Sequence, residues 1–293
     1  MYVGRFAPSP TGPLHFGSLV AAVASYADAR AMKGRWLLRI EDVDTTRCSR
    51  AAETEILNQL SAYGFVADGE IIRQSERGEI YSAAIARLAL GGPVFACTCS
   101  RKMLEGALHN ADGESIYPGT CRDSGVVTGA CSLRLRVKDD VDSTVTFLDR
   151  ALGVVAQNVA TDVGDFVLRR ADGCYTYQLA VVADDALQGV TNVVRGEDLL
   201  MNTPRQIYLQ RLLHVATPTY LHAPLVRNAA GEKLSKQTMA QAISVDATVE
   251  TLRAAWVFLK QPDLGRVASV AAFWSAAIAA WNPQAVHAQR APS

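Results

Sequence analysis

The apolar positions in the N-terminal third of the chain alternate between strand and helix periodicity. Residues 2–7 predict a strand, and residues 15–33 carry apolar side chains at helical spacing up to a natural stop at Gly34. Residues 35–40, RWLLRI, predict a second strand. A strand, a helix and a strand in this order form a βαβ unit, which predicts a parallel sheet. Further helices are predicted over residues 50–63 and 77–90.

The pattern changes near Gly91. Residues 91–131 have little periodicity and are rich in Gly, Cys and Ser, whereas residues 132–170 alternate between apolar and polar side chains, which predicts antiparallel strands. We therefore expect an α/β domain interrupted by a smaller mixed insertion. The remaining predicted elements are a buried strand over residues 175–182, a strand in VTNVVRGED, a helix from Thr203 to Leu213, a strand in YLHAPLV followed by the EKLSK loop, a helix over residues 248–259, and an Ala-rich end with a frayed tail.

Composition and charge narrow the class of protein. The 293 residues are 49% apolar and 20% charged, which is ordinary for a globular protein. No apolar run reaches the length of a membrane span and the N-terminus carries no secretory signal, so we expect a cytoplasmic protein that does not bind membranes. A formal net charge of zero argues against a dedicated nucleic-acid binder, although it allows RNA contact through a local basic face. The six cysteines are too few and too scattered for a disulfide scaffold.

The stretch RFAPSPTGPLHFGS, from Arg5 to Ser18, connects the first strand to the first helix. Such a loop lies at the carboxyl edge of a parallel sheet, where ligands usually bind. The helix N-terminus attracts phosphate, Gly12 and Gly17 allow a close approach, and His15 can donate a hydrogen bond to a phosphate oxygen. Taken alone, the stretch fits a phosphate site and a proline-rich turn with a structural histidine equally well.

Two lysines late in the chain form a second candidate element. Lys233 and Lys236 in EKLSK could neutralise charge that develops on a triphosphate in a transition state. A solvated basic loop explains the same residues when they are taken alone.

Three of the six cysteines cluster in the segment that begins CTCSRK. Cys97 and Cys99 form a C-x-C pair, and Cys121 follows in YPGTCR. Three thiolates suit zinc, which needs a fourth ligand for tetrahedral coordination, and His109 is the generic candidate. Three reduced structural cysteines are the alternative.

The opening loop and the lysine pair, together on a βαβ frame, resemble the two ATP-binding signatures of class I aminoacyl-tRNA synthetases. HFGS, from His15, is similar to the first signature, and KLSKQ, from Lys233, is similar to the second. The resemblance implies a Rossmann-like parallel-sheet catalytic domain that uses ATP with Mg²⁺. It also implies catalytic roles for His15, Lys233 and Lys236 and ATP contacts from His15, Gly17 and Lys236.

A third match narrows the branch of that family. RFAPSPTGPLHFG followed by LRIEDVDTTR looks like glutamyl-tRNA synthetases, whereas the acidic and basic motifs alone would fit charged surface loops. Glutamate carries two carboxylates and one ammonium, so a pocket of arginines and a carboxylate suits it. The resemblance implies that Glu41 reaches the α-ammonium and that Arg195 and Tyr177 lie near the side-chain carboxylate. The full implied glutamate-binding set is Arg5, Ala7, Ser9, Glu41, Tyr177 and Arg195.

The thiol segment, with Tyr117 ahead of Cys121, resembles a family of shorter paralogues of glutamyl-tRNA synthetase. Their ligand pattern implies one structural zinc ion per chain, on Cys97, Cys99, Tyr117 and Cys121. Little chain follows Lys236, which leaves room for a helical cap but not for an anticodon-binding domain. We therefore expect residues 1–92 and 175–240 to form the two halves of the catalytic domain, residues 93–174 an inserted mixed α+β subdomain that holds zinc and contacts the tRNA stem, and residues 241–293 a short helical C-terminal region.

The resemblance to these shorter paralogues implies a monomeric ligase that activates L-glutamate with ATP. The glutamyl group would pass to queuosine at the wobble position of tRNA(Asp), which the protein would bind through the anticodon stem-loop. The alternatives are a truncated synthetase that charges tRNA(Glu), a catalytically idle tRNA-binding paralogue, and a nucleotidyltransferase that acts on a small molecule. The full set of signature residues argues against the idle paralogue, and the glutamate-pocket motifs argue against the nucleotidyltransferase.

Overall fold

The computed structural model describes residues 1–110, 113–125, 129–227 and 241–287. Its strands are β1 (Val3–Phe6), β2 (Arg35–Ile40), β3 (Ile72–Arg73), β4 (Val94–Cys97), β5 (Ser132–Leu135), β6 (Thr144–Asp149), β7 (Gly153–Asn158), β8 (Phe166–Arg169), β9 (Asn192–Gly196) and β10 (Thr219–Ala223). Its α-helices are α1 (Phe16–Ala31), α2 (Arg50–Ala62), α3 (Gly78–Leu90), α4 (Val159–Asp162), α5 (Tyr177–Leu187), α6 (Thr203–Leu212), α7 (Thr248–Phe258) and α8 (Val270–Ala280).

Two sheets built mostly of parallel strands lie next to each other, and the two together are called the large sheet below. β1 pairs with β2 and β2 with β3 in parallel, while β9, β10 and β6 form a second parallel run to which β7 adds in antiparallel orientation. The backbone N–H of Thr191, just before β9, donates to Val3 O at 2.9 Å and joins the two runs. The parallel sheet that the βαβ pattern predicts is therefore confirmed.

A smaller antiparallel sheet is formed by β4, β5 and β8, and Cys97 lies at its end. The antiparallel pairing predicted for residues 132–170 is confirmed for β5 with β8 and for β6 with β7. β6 also pairs in parallel with β10, through Asp149 and Tyr220. The β6–β7 hairpin thus lies in the large sheet, although its residues fall within the segment expected as an insertion.

The strand predicted over residues 175–182 is wrong, because helix α5 begins there at Tyr177. Thr176 precedes the helix, and its hydroxyl donates to Val167 O at 2.8 Å. Residues 179–185 are all buried. An apolar run that is buried on every side lacks the periodicity that distinguishes a helix from a buried strand, and this similarity explains the error.

The other helix and strand predictions are confirmed, with small shifts at their ends, for β1, α1, β2, α2, α3, β9, α6, β10 and α7. Gly34 ends the α1 region because the chain passes very close to Tyr2 there: a Cβ on Gly34 would come within 2.6 Å of Tyr2 O. Strand β4 lies in a segment where the sequence pattern predicts none. Across the described ranges, no helix combines the length and the apolar character that crossing a membrane requires.

The C-terminal helices pack against the first half of the chain. The Trp274 ring of α8 lies edge-on to Tyr26 and Phe65, at centroid distances of 4.6 and 5.1 Å, and its indole N–H donates to Tyr63 O at 2.8 Å. The Trp281 indole N–H donates to Asp28 Oδ1 at 2.8 Å. Buried aromatic rings with satisfied N–H groups contribute strongly to packing, so the Ala-rich end is part of the main core as far as the structure describes it.

Candidate active site

The carboxyl ends of β1, β2 and β9 and the start of α1 enclose a cavity of about 530 Å³. In open α/β sheets, ligands bind at this edge. Every described residue of the expected ATP and glutamate sets lines this cavity: Arg5, Ala7, Ser9, His15, Gly17, Glu41, Tyr177 and Arg195.

Lys233 and Lys236 lie outside the described residues. The chain reaches the cavity on either side of them, because Val226 lines it and Ala242 forms a β-bridge with His15. The backbone N–H of Ile243 also donates to Leu14 O at 3.0 Å. The described residues on either side of the lysine segment therefore lie at the cavity or in contact with residues that line it.

His15 precedes α1 and caps it. Its Nδ1 accepts a hydrogen bond from Ser18 N at 3.3 Å, which satisfies one of the unbonded N–H groups of a helix start. Gly17 lies against the ring, since a Cβ there would come within 3.1 Å of the imidazole. The cavity thus meets the first turn of α1 and the imidazole together, an arrangement that suits phosphate oxygens.

Arg5 belongs to a buried network of alternating charges. Its Nε donates to Asp185 Oδ1 at 3.1 Å. Arg39 donates to the same oxygen at 2.7 Å and to Glu41 Oε1 at 3.2 Å. No side chain of these four is more than 9% exposed. Two guanidinium groups and two carboxylates therefore balance one another on this side of the cavity.

The two carboxylates of this network differ in acidity. Burial opposes the ionisation of Asp185, but the charges of Arg5 and Arg39 outweigh it and hold the pKa of Asp185 below its usual range. For Glu41 burial prevails over the same arginines and raises the pKa above its usual range. Glu41 is therefore the carboxylate that a further cation in the cavity would stabilise more.

Arg195, near the end of β9, is 5% exposed and has different surroundings. Its Nε donates to His222 Nε2 at 3.1 Å, and one terminal nitrogen donates to Tyr177 Oη at 3.1 Å. The other terminal nitrogen donates to Thr203 Oγ1 at 2.7 Å and to Leu199 O at 3.3 Å. These partners are a ring nitrogen, two hydroxyls and a carbonyl.

His222 lies behind Arg195 on β10 and is fully buried. Its Nδ1 is 2.7 Å from Asp149 Oδ2, and its backbone N–H donates to the same oxygen at 3.1 Å. Burial lowers the pKa of His222 below its usual range, and the charge of Arg195 adds to this shift while Asp149 opposes it. Burial would raise the pKa of Asp149, but hydrogen bonds from His222, Ala151 N and Leu152 N outweigh it and hold that pKa below its usual range.

Four residues of this arrangement, Arg39, Asp149, Asp185 and His222, were not part of the sequence prediction. Arg39 lies inside the apolar strand RWLLRI and His222 inside YLHAPLV, and a polar residue within a buried strand was the available signal. Asp185 lies on α5, just beyond the run interpreted as a strand. Asp149 ends β6, and the sequence carries no sign of its partner on β10.

The sulfur atoms of Cys97, Cys99 and Cys121 lie within 4.8 Å of one another. The Tyr117 hydroxyl is 3.4 Å from Cys97 Sγ and 3.6 Å from Cys99 Sγ, and the sulfurs of Cys99 and Cys121 are 3.5 Å apart. Around a tetrahedral zinc ion with Zn–S bonds of about 2.3 Å, neighbouring ligand atoms lie about 3.5–3.8 Å apart. The donor set and its spacing therefore fit zinc.

Tyr117 lies at the thiol cluster, whereas His109 lies outside it. The Arg134 guanidinium lies over the Tyr117 ring at 4.1 Å, and Cys121 N donates to the phenol oxygen at 2.8 Å. The Tyr117 hydroxyl lowers the pKa of the Cys121 thiol to about 6, whereas burial and the neighbouring thiols raise the pKa of Tyr117. His109 is exposed, and its Nε2 lies 3.2 Å from Ser115 Oγ, outside the cluster.

Sequence comparison relates the chain to one enzyme family. A family model described as tRNA synthetases class I (E and Q), catalytic domain, matches residues 2–257. The glutamyl-Q tRNA(Asp) synthetase of Thiobacillus denitrificans is 51% identical over 99% of this chain and 95% of its own length. The proteins of the same name from Dechloromonas aromatica and Verminephrobacter eiseniae are 53% and 54% identical, over 98% and 96% of this chain and 96% and 97% of their own lengths.

Structural comparison gives the same fold. A glutamate tRNA ligase from Elizabethkingia meningosepticum in complex with its amino acid matches with a TM-score of 0.79 at 24% identity. The match covers 98% of this chain and 66% of the ligase, so the chain spans about two thirds of the length of that structure. A methionyl-tRNA synthetase from Mycobacterium tuberculosis matches more distantly, with a TM-score of 0.56 at 13% identity, over 88% of this chain and 63% of its own.

Proposed function

The chain belongs to the family of class I tRNA synthetases (E and Q), and from this membership we propose that it is a ligase that activates L-glutamate with ATP and transfers the glutamyl group to queuosine in tRNA(Asp). The observation that carries the proposal is the identity of 51–54%, over at least 96% of the chain, to relatives named glutamyl-Q tRNA(Asp) synthetase. The family also accounts for the α/β fold with its parallel sheet.

The reaction has two steps. In the first, an oxygen of the glutamate α-carboxylate attacks the α-phosphorus of ATP, the bond to pyrophosphate breaks, and glutamyl-adenylate forms. In the second, a hydroxyl of the queuosine cis-diol attacks the carbonyl carbon, AMP leaves with the bonding electrons, and the hydroxyl proton is released as the ester forms. The contribution of the protein is positioning and charge stabilisation, without a covalent protein intermediate.

The proposed glutamate pocket combines the two arginine regions of the cavity. Arg195 and Tyr177 contact the side-chain carboxylate, which meets a guanidinium whose hydrogen-bond partners are uncharged. Glu41 contacts the α-ammonium. Burial raises the pKa of this carboxylate, and a bound cation would stabilise its ionised form and lower the pKa again. Arg5, Ala7 and Ser9 complete the lining of the pocket.

The proposed nucleotide site is the α1 end of the same cavity. His15 and Gly17 contact phosphate oxygens at the helix start, and Mg²⁺ accompanies ATP as part of the substrate. Lys233 and Lys236 supply positive charge to the transition state from the segment outside the described residues. Support for this role comes from described residues on either side of that segment, since Val226 lines the cavity and Ala242 forms a β-bridge with His15.

We further propose that Cys97, Cys99, Tyr117 and Cys121 hold one structural zinc ion. The fit of the four donor atoms to tetrahedral spacing carries this proposal. The ion would brace the small sheet of β4, β5 and β8 through Cys97 at the end of β4. Because the phenol proton must leave, binding should release protons and weaken as the pH falls.

Elemental analysis tests the zinc site. We expect one zinc per chain in the purified protein and loss of zinc in a Cys121→Ser variant, because serine lacks the soft thiolate ligand. His109→Ala is the matched control, and it should keep its zinc. A folded wild-type preparation with much less than one zinc per chain would contradict the proposal.

The test of the transfer step compares acceptors. The protein is incubated with ATP, labelled glutamate, and either tRNA(Asp) that carries queuosine, the same tRNA from cells that cannot make queuosine, or tRNA(Glu). We expect label only on the first. Labelling of tRNA(Glu) instead would contradict the proposal and indicate a tRNA(Glu)-charging synthetase.

Two further measurements show which step fails if tRNA(Asp) is not labelled as expected. Ribonuclease digestion should place the label in the anticodon fragment, whereas charging at the acceptor end would place it on the terminal adenosine. Glutamate-dependent exchange between ATP and pyrophosphate reports the activation step without any transfer. A protein that lacks this exchange, with and without tRNA, would contradict activation and indicate an idle paralogue.

A further inference from the structure

Arg195 is held by three neighbouring strands of the large sheet. Asp149 ends β6, His222 is on β10 and Arg195 is on β9, and the backbone register pairs His222 directly with Arg195. The contacts run in one line from Asp149 Oδ2 to His222 Nδ1 at 2.7 Å and from His222 Nε2 to Arg195 Nε at 3.1 Å. Both Asp149 and His222 have fully buried side chains, so this line of contacts lies behind the cavity wall.

The chemistry of these contacts defines the protonation state of His222. Arg195 Nε can only donate, so His222 Nε2 must accept and therefore carries no proton. The remaining ring proton is then on Nδ1, where Asp149 Oδ2 accepts it. His222 is thus a neutral imidazole with a single tautomer.

Asp149 is itself held rigidly. Its Oδ1 accepts from Ala151 N at 2.9 Å and from Leu152 N at 3.0 Å, and its Oδ2 also accepts from His222 N at 3.1 Å. These backbone donors hold the carboxylate at the turn between β6 and β7. The orientation of the His222 ring is therefore set by the sheet itself.

We propose that Asp149 and His222 are positioning residues for Arg195: Asp149 selects the tautomer of His222, and the neutral ring orients the guanidinium without cancelling its charge. The inference rests on the proposed function, in which the positive charge of Arg195 binds the side-chain carboxylate of glutamate. A carboxylate in direct contact with Arg195 would compete with the substrate for the same guanidinium, and the imidazole keeps Asp149 one ring further away.

The charged and titratable groups that surround the ring are consistent with a neutral imidazole. Asp149 faces it from β6 and Arg195 from β9, while Asp198, after β9, contributes a further, weaker negative charge. Tyr220, on the same strand, stacks beside the ring at a centroid distance of 6.2 Å. Thr203 Oγ1 on α6 lies 3.3 Å from Nε2, where its hydroxyl can donate.

Two variants separate positioning from simple structural support. In Asp149→Asn, an amide N–H₂ that faces the ring would favour the tautomer with its proton on Nε2. The Nε2–H and the Arg195 Nε–H would then be two donors that face each other without an acceptor. In His222→Gln, the amide oxygen can still accept from Arg195. We expect Asp149→Asn to raise the KM for glutamate in ATP–pyrophosphate exchange by about 10- to 100-fold, with the KM for ATP little changed, because it leaves buried donors unpaired. His222→Gln should have a smaller effect in the same direction.

Asp28→Asn is the matched control. Asp28 is equally buried and also binds an arginine, Arg150, but it lies near the far end of α1, away from the cavity. This variant should lose stability and keep both KM values. Equal changes in the two KM values for Asp149→Asn, or a change no larger than that of Asp28→Asn, would overturn the proposal.

Nitrogen NMR of the histidine rings tests the same inference without activity. In ¹⁵N-histidine-labelled wild-type protein at neutral pH, the His222 signals, identified by their loss in His222→Gln, should show a protonated Nδ1 and an unprotonated Nε2. A doubly protonated ring, or a proton on Nε2, would overturn the proposal even if Asp149→Asn does not fold. Absence of glutamate-dependent exchange in the wild type would contradict the proposed function, and the ring spectrum would still decide the tautomer.

Discussion

The two arginines of the cavity are bound in opposite ways. Arg5 contacts Asp185 directly, and Arg39 and Glu41 extend this into a buried network with two charges of each sign. Arg195 contacts a ring nitrogen, two hydroxyls and a carbonyl, and the nearest carboxylate in its line of contacts, Asp149, lies beyond an imidazole.

This difference separates two properties that an arginine can contribute to a binding site. A guanidinium paired with a carboxylate stabilises the fold around it once both groups are buried, but it has little charge left for a ligand. A guanidinium held by neutral acceptors has a fixed direction and an uncompensated charge, which favours binding of an anion. We therefore expect variants at Arg5 to affect stability first and variants at Arg195 to affect glutamate binding first.

The largest expected effect is the loss of stability in Arg5→Met. Removal of one partner of a buried ion pair typically costs about 3–5 kcal/mol, because the other charge stays buried with less compensation. Urea unfolding monitored by circular dichroism measures this loss. Arg47→Met is the control, since the Arg47 side chain is 73% exposed in its pair with Asp44 and such pairs contribute about 0–1 kcal/mol. Similar losses in the two variants would contradict the structural role of the Arg5 network.

Next in size is the effect of Arg195→Gln on glutamate binding. We expect the KM for glutamate in ATP–pyrophosphate exchange to rise on the order of 100-fold, since a buried charge that meets a carboxylate is worth about 2–5 kcal/mol when truncated. The KM for ATP should change little, and the loss of stability should be smaller than in Arg5→Met. Equal effects on glutamate and ATP would remove Arg195 from the glutamate pocket.

Local patterns in the sequence predicted most of the fold. Helix α1 and strand β2 were recognisable because their apolar positions repeat with the period of the element, and Gly34 marks the boundary between them. Helix α5 was mistaken for a strand because it is buried on all sides over residues 179–185. The pairing of β6 with β10 was also not predictable, since it joins segments that are far apart in the chain.

The residues of the candidate site also divide into those that the sequence predicted and those that only the structure revealed. His15, Gly17, Arg5 and Glu41 lie in contiguous motifs, and a resemblance in short motifs was enough to place them in one cavity. The positioning residues are different, because Asp149 and His222 are 73 positions apart and meet only when β6 and β10 become neighbours. A residue that acts through another residue carries no motif of its own, so only the three-dimensional structure revealed it.

Glu41→Gln tests the charged side of the cavity through its pH dependence. We expect about a tenfold rise in the KM for glutamate at neutral pH, because the α-ammonium loses an anionic partner. In the wild type, burial raises the pKa of Glu41, so glutamate binding should begin to weaken at a higher pH than an ordinary glutamate would allow. The KM for glutamate of Glu41→Gln, divided by that of the wild type, should therefore decrease as the pH falls. A ratio that stays constant with pH would contradict ionised Glu41 as the ammonium ligand.

The smallest expected effect concerns His222, behind Arg195, and the dependence of the stability of the protein on pH. The unfolded chain binds a proton at His222 with the ordinary pKa of 6.5, whereas burial lowers the pKa of this residue in the folded protein. As the pH falls below 6.5, the unfolded state therefore gains a proton that the folded state does not, and stability decreases by at most about 1.4 kcal/mol per pH unit from this group. The low pKa of Asp149 acts in a more acidic window, because its contribution is lost as the pH falls from the ordinary pKa of an aspartate down through the lowered pKa in the folded protein.

His222→Gln should accordingly make the stability less dependent on pH between about 6.5 and 5, even though the variant is less stable overall. Urea unfolding at several pH values in this range measures the slope. His109→Gln is the control for the substitution itself, because His109 is exposed. If His222→Gln keeps the slope of the wild type, His222 takes up a proton as readily in the folded protein as in the unfolded chain, and the contrast between a compensated Arg5 and an uncompensated Arg195 would have to be revised.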